Sequence, residues 1–372
     1  MDNQVYKRHE ELLTNTISEA LEVMSPENLI NQYVEIKDGA LIIDDIPVSF
    51  DESTKIWVFG TGKAAPRMAR QLENLLGNYI EDGIVITHDI SQTPTNTIQQ
   101  FQGDHPLPSK DSVAAAYELV ALAEKPSPGD IVLFCVTGGS SALLSLPGGD
   151  LELEDLQRTH HLLLNSGAGI HDINTVRKHL SAVKGGQLLP LFKEQKLINL
   201  IISDVPGDNP AFIGSGPTVC DDTTFDEAFQ ILKKFDIWQK LPQAVRTHIA
   251  KGMNGELPET IGLEDLDGDP PQTCLIGTAR KMGETVQQIL KREDINVWLA
   301  EEAYDEEGRK ISKRISADAI SVLKGNTPVE KPGGLIYFGE SMVEVTGSGL
   351  GGRNQELALN VALSIEGQHH IS

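Results

Sequence analysis

Ile56-Trp57-Val58-Phe59-Gly60-Thr61-Gly62-Lys63-Ala64-Ala65 passes from an unbroken apolar run through a glycine turn into a stretch with helical character that continues to Leu76. Four apolar residues without polar alternation predict a strand buried on both faces. The same order recurs. Apolar runs stand at Ile84-Val85-Ile86, Ile131-Val132-Leu133-Phe134 and Leu197-Ile198-Asn199-Leu200-Ile201-Ile202, with helical stretches near 64–76, 111–124 and, in two pieces, 151–189. Buried strands alternating with helices predict an α/β fold: a Rossmann-like parallel sheet with helices on both faces.

Two helices are expected ahead of this pattern, one over about 8–24 and one opened by Ser25-Pro26-Glu27, where serine caps and proline takes the first helical position. After Met253 the chain turns acidic and loop-like up to Gly268-Asp269-Pro270-Pro271, which reads as a linker. The expected domains are therefore 1–255 and a smaller α/β domain over 272–372. In the second, strands at 273–276, 295–299 and 335–338 alternate with helices at 278–292 and 309–323.

At 372 residues the chain suits two cores, and its net charge of -23 argues against a nucleic-acid partner. No apolar run approaches the length of a membrane span, and the amino terminus carries no apolar leader, so the cytoplasm is the expected location. Cys135, Cys220 and Cys274 are widely spaced, which excludes a disulfide framework or a CxxC metal knuckle. His160, His161, His171 and His179 lack zinc-site spacing and read as surface or capping residues.

Chemistry is expected at strand ends. Gly60-Thr61-Gly62-Lys63-Ala64-Ala65 loosely matches GxGxxA, with Asp89 as a ribose partner, but Ala64 stands where a P-loop needs Ser or Thr. Lys63 is the better-placed charge. Thr137-Gly138-Gly139-Ser140-Ser141-Ala142 offers exposed backbone and two hydroxyls to a phosphate or carboxylate, and lacks the last glycine of a GxSxG elbow. Asp204 ends a buried strand and Asp208 follows at i+4, a pair suited to magnesium held with phosphate. Arg177, Ser181 and Lys184 would form a cationic row if helical. Finally, the strand-like Met342-Val343-Glu344-Val345-Thr346 leads into Gly347-Ser348-Gly349-Leu350-Gly351-Gly352-Arg353-Asn354-Gln355-Glu356. There glycine N–H groups and the Arg353 guanidinium could hold an anion at a helix start.

Taken together with Gly103-Asp104-His105-Pro106, Arg177-Lys178-His179-Leu180-Ser181 and Ser203-Asp204-Val205-Pro206-Gly207-Asp208, these loops resemble the glycerate 2-kinase family with a C-terminal MOFRL domain. Some of its members carry the older label hydroxypyruvate reductase. The resemblance spans nearly the whole chain. It implies ATP-dependent transfer of the γ-phosphoryl group to the 2-hydroxyl of D-glycerate, with Mg2+, in a cleft between a large and a small domain. Lys63, Asp204 and Arg353 match active-site positions of the family; Asp204 is read from the residues as a ligand to magnesium or as the group that orients the substrate hydroxyl. Gly60, Gly62, Gly138, Gly139, Ser140, Ser141, Arg177, Lys184, Asp208, Gly351, Gly352 and Asn354 are read from the residues as substrate- or phosphate-binding.

Family members continue past this last helix into a further strand and an Asp-Gly-Thr-Asp-Gly loop; this chain ends at Ser372, so an incomplete second domain is expected. Expected partners are D-glycerate and ATP, with no nucleic acid and no membrane; a homodimer stays open. The rival readings are an NAD(P)-dependent hydroxypyruvate reductase, resting on GxGxxA and Asp89, and a non-catalytic nucleotide- or sugar-acid-binding protein.

Overall fold

The computed structural model describes every residue except 1, 2, 38, 50, 52, 91, 92, 327, 344–349, 369, 370 and 372. Helices α1 (Asn3–Val23) and α2 (Pro26–Tyr33) precede β1 (Val34–Lys37), β2 (Ala40–Ile43) and β3 (Ile46–Val48), a small antiparallel sheet. Then follow β4 (Ile56–Thr61), α3 (Ala65–Leu76), β5 (Ile80–Thr87), β6 (Ile98–Gln102), α4 (Lys110–Ala123), β7 (Ile131–Val136) and α5 (Ser140–Leu143). The chain continues through α6 (Leu153–Leu164), α7 (Ile170–Lys178), β8 (Lys196–Ile202), α8 (Phe225–Lys234), α9 (Gln243–Met253) and β9 (Gln272–Gly277). The last part holds α10 (Ala279–Arg292), β10 (Asn296–Leu299), β11 (Tyr304–Glu307), α11 (Gly308–Leu323), β12 (Gly333–Ile336), β13 (Gly339–Met342) and α12 (Arg353–Ser364).

The expected parallel sheet is present. Its order is β6-β5-β4-β7-β8-β9, and the pairs β6 with β5, β5 with β4, β4 with β7, and β7 with β8 are parallel. Every residue of β4 and β7 is buried, as unbroken apolar runs require when both faces are covered. α3 buries Ala65, Met68, Ala69, Leu72 and Leu76, one stripe at helical spacing, and stops at Gly77 with φ +53°. On the same helix the buried Glu73 carboxylate accepts the N–H groups of Asn96, Thr97 and Ile98, which anchors the start of β6. α6 to α9 share an apolar cluster built on Leu156, Val176, Phe225, Leu232 and Ile249.

The chain divides into two compact units: Leu29–Asp204 with Asp208–Ile276, and Met1–Asn28, Val205–Gly207 with Gly277–Ser372. α1, expected with the large domain, groups with the carboxyl-terminal elements through α10. The strand expected at 273–276 to open the second domain is β9, at the edge of the large sheet. The stretch read as a linker is tied down: Ile261 N–H donates to the Gly185 carbonyl at 3.0 Å, and the Ile261 carbonyl accepts from Asp221 N–H at 2.8 Å. Its Gly/Pro content serves turns that pack on the large unit. In the other unit, β10 with β12 and β11 with β13 form two parallel pairs, and Tyr304, Ile311 and Leu357 make a core. Among the described residues no helix is long and apolar enough to cross a membrane.

Candidate active site

β4 and β7 run in register, Thr61 opposite Val136, so their glycine loops leave the sheet at the same edge. From β4 the sheet extends to β5 and β6 on one side and to β7, β8 and β9 on the other. The edge between β4 and β7 is therefore the switch point at which open α/β sheets bind ligands.

Gly62 has φ +124°, and a Cβ there would lie 2.1 Å from Thr137 Oγ1, so only glycine lets the two loops touch. The contact is closed by hydrogen bonds: Lys63 N–H donates to the Gly138 carbonyl at 2.9 Å and Ala64 N–H to the Thr137 hydroxyl at 3.1 Å. Gly62 N–H donates to the Ile86 carbonyl at 3.0 Å. These donors are committed inside the protein and are not offered to a phosphate. Gly62 thus works by close approach, as does Gly60, where a Cβ would meet Cys135 at 2.9 Å.

What the first loop leaves exposed is the Lys63 side chain. Gly139, at φ +89°, faces it: a Cβ there would lie 3.3 Å from Lys63 Cε and 3.3 Å from His105 Cδ2. The Asp204 carboxylate rests on Gly138, whose absent Cβ would come within 2.2 Å of Asp204 Oδ2. Lys63, His105 and Asp204 thus meet around Gly138 and Gly139, with Lys63 and Asp204 exposed and His105 partly buried. Burial, followed by the Lys63 charge, lowers the His105 pKa; His88 adds to this and Asp204 opposes it. At neutral pH His105 is therefore an uncharged donor or acceptor. His105 sits in the Gly103-Asp104-His105-Pro106 stretch, where no neighbouring residue marks it for a role at this site.

Ser140 is buried, and its hydroxyl lies 2.8 Å from the Thr61 carbonyl and 2.6 Å from the Thr137 carbonyl. It braces the two loops and is not offered to a ligand. Ser141 Oγ lies 2.9 Å from Ser215 Oγ, which in turn donates to Asn174 Oδ1 at 3.1 Å. This hydroxyl and amide chain joins the second loop to α7.

The predicted cationic row is not a helical face, because α7 ends at Lys178 and the chain then pairs with 144–148. Nor is it solvated. Lys184 is 2% exposed and donates to the Leu144 carbonyl at 2.6 Å. Burial pulls its ammonium down to about 7, with help from Arg177, and pulls the Arg177 guanidinium down to about 10. His160, read as a surface residue, is 3% exposed, with its pKa pushed well down by burial and then by the charges of Arg177 and Lys184. His179 is also buried, with Nδ1 at 2.8 Å from the Thr175 carbonyl and Nε2 at 3.1 Å from Glu259. His161 and His171 are exposed, as expected.

Asp208 has φ +51°, a turn conformation that aspartate tolerates, and it joins no metal-binding group among the described residues. Asp89 is exposed at the end of β5. In the other unit, Arg353 opens α12 and pairs with Glu340, both half-exposed. Gly351 and Gly352 are exposed without left-handed backbone, and Asn354 is exposed in the first turn. Gly347, Ser348 and Gly349, with 344–346 of the predicted strand, lie outside the described residues.

Residues 12–250 match the family described as a domain of unknown function, DUF4147. The chain is similar to the glycerate 2-kinase of Pyrococcus horikoshii, 37% identical over 350 residues, covering 94% of this chain and 78% of the relative. It is also similar to the D-glycerate 2-kinase of Thermotoga maritima, 34% identical over 314 residues, covering 84% of this chain and 72% of the relative. The crystal structure of a glycerate kinase from Thermotoga maritima matches with a TM-score of 0.81 at 30% identity, covering 98% of this chain and 81% of that one.

Proposed function

The chain belongs to the glycerate 2-kinase family, and on that premise we propose that it transfers the γ-phosphoryl group of ATP to the 2-hydroxyl of D-glycerate, releasing ADP and 2-phosphoglycerate. The observation that carries this reading is the meeting of Lys63, Asp204 and His105 over Gly138 and Gly139 at the sheet's switch point. Phosphoryl transfer asks for positioning and charge more than for covalent chemistry. An exposed ammonium beside glycine backbone supplies both.

Lys63 neutralises charge on the transferring group, and the missing side chains of Gly138 and Gly139 let Asp204, Lys63 and His105 converge on one spot. Asp204 orients the attacking hydroxyl by accepting its hydrogen bond, and neutral His105 holds an oxygen from the other side. Among the described residues no three His, Cys, Asp or Glu gather into a metal cage. One carboxylate still fits Mg2+ carried in on nucleotide phosphates, because that ion keeps several waters and takes one or two protein carboxylates. When bound, it would screen the phosphate charge.

The larger unit is proposed as the carrier of this chemistry and the smaller as a MOFRL-like domain. There Arg353, at a helix start with an exposed guanidinium, is assigned to gripping an anionic oxygen after leaving Glu340. The test is ADP release with and without D-glycerate, in wild type and Lys63→Met. Wild type should release ADP only with D-glycerate, and the variant should lose about 1000-fold or more in kcat/KM with its Tm unchanged. Near-normal turnover in the variant would refute the role of Lys63, and NADH consumption in place of ADP release would refute the reaction.

A further inference from the structure

Arg177 on α7 and Lys184 just after it are cations for which no ion pair is present among the described residues, and His160 lies within reach of both charges. Arg177 Nε is sealed from solvent without a hydrogen-bond partner among the described residues, and so is His160 Nδ1. Lys184 is buried and donates to the Leu144 carbonyl, with no ion pair among the described residues. Among the described residues neither forms an ion pair, and burial, joined for Lys184 by the Arg177 charge, disfavours the charged form of each. Burying like charges together without a counter-ion is costly, and an anion beside Arg177 would offset that cost.

Its position narrows the choice. Asn174 lies one turn before Arg177 on α7 and holds Ser215, which meets Ser141 on the second glycine loop; Lys184 holds Leu144 just beyond that loop. Hydroxyl and amide groups beside a guanidinium suit a small polyhydroxy acid, whereas a triphosphate suits the solvent-facing Lys63. We propose that the partly exposed Arg177 guanidinium, beside the Ser141, Ser215 and Asn174 chain, holds the carboxylate of the hydroxy acid, with the enclosed Lys184 adding its charge and neither Lys184 nor His160 touching the ligand, in a subsite separate from the Lys63 spot that meets phosphate. This rests on the kinase reading above, and it assigns specificity for an acid over a neutral polyol to a planar guanidinium that can grip both carboxylate oxygens.

The experiment is steady-state kinetics on the full chain with Arg177→Gln. The KM for D-glycerate should rise on the order of 100-fold, while that for ATP changes by less than about threefold and Tm holds; Arg177→Lys should recover part of the loss. A parallel rise in both KM values, or an unchanged KM for D-glycerate, overturns the subsite. If Arg177→Gln fails to fold, Lys184→Met serves instead, with a rise of roughly tenfold expected for D-glycerate alone and no rise overturning the proposal. Should wild type lack glycerate-dependent ADP release, the kinase reading falls first, and calorimetric titration with D-glycerate and with inorganic phosphate still decides the subsite. Glycerate binding that Arg177→Gln abolishes supports it; equal binding by both proteins, or an Arg177-dependent preference for phosphate, overturns it.

Discussion

Lys178 and Lys184 leave the same stretch of chain and are both buried, 1% and 2% exposed, yet their surroundings are opposite. Lys178 Nζ meets Asp221 Oδ1 at 2.6 Å and lies 4.5 Å from the Phe212 ring centroid, while Thr223 donates to the other Asp221 oxygen at 2.7 Å. Every charge there has an answer inside the protein. Lys184 has one carbonyl and a like-charged neighbour in Arg177. A paired buried lysine belongs to the fold; an unpaired one is kept at a cost to stability, which is what a ligand site requires.

The largest expected effect comes from breaking the answered pair. Lys178→Met strands the Asp221 carboxylate in the interior and should cost about 3–5 kcal/mol in urea unfolding. A midpoint unchanged from wild type would erase the contrast between the two lysines.

Lys184→Met should act in the reverse sense, removing an uncompensated charge and leaving stability at pH 7 equal or about 1 kcal/mol higher. The pH dependence sharpens this. Folding lowers the Lys184 pKa from 10.5 to about 7. Between those values the unfolded chain binds a proton that the folded chain does not, so stability climbs as pH rises through that window and the burial penalty is complete below it. Melts at pH 7 and pH 9.5 should show a wild-type gain of about 3 kcal/mol that is missing from Lys184→Met. A variant with the wild-type slope would contradict the solitary burial of this residue.

His160 gives the smallest effect. Its pKa is lowered by burial and by the two neighbouring cations, so below the ordinary value of 6.5 the unfolded chain takes a proton that the native imidazole refuses. Wild type should therefore lose stability on going from pH 6.5 to pH 5, and His160→Gln should lose less. Equal acid sensitivity in both proteins would mean His160 does not share the cationic environment.

Much of the sheet was legible because β4, β7 and β8 are covered on both faces, and full burial writes itself as unbroken apolar sequence. β6 escaped notice. Its sequence, Ile98-Gln99-Gln100-Phe101-Gln102, belongs to an edge strand with only Ile98 buried, and Glu73 from α3 sets its start. β1 to β3 are short and half-exposed, and so gave no run long enough to read. His105 follows the unread β6, so its arrival beside Lys63 had no visible cause in the sequence.

Sequence alone determined that glycine loops follow buried strands and that Lys63 and Asp204 stand at strand ends, because local periodicity and turn chemistry are written in neighbouring residues. Tertiary structure decided which loop donors are still available, and which buried cation has a carboxylate. Gly62 gives its N–H to Ile86 from the neighbouring strand, and Lys178 finds Asp221 across a gap of 43 positions while Lys184 finds no carboxylate among the described residues. Hydrogen bonds and charge pairs of this kind close between distant segments, and desolvation depends on everything packed around a group, so neither can be inferred from the residues beside it.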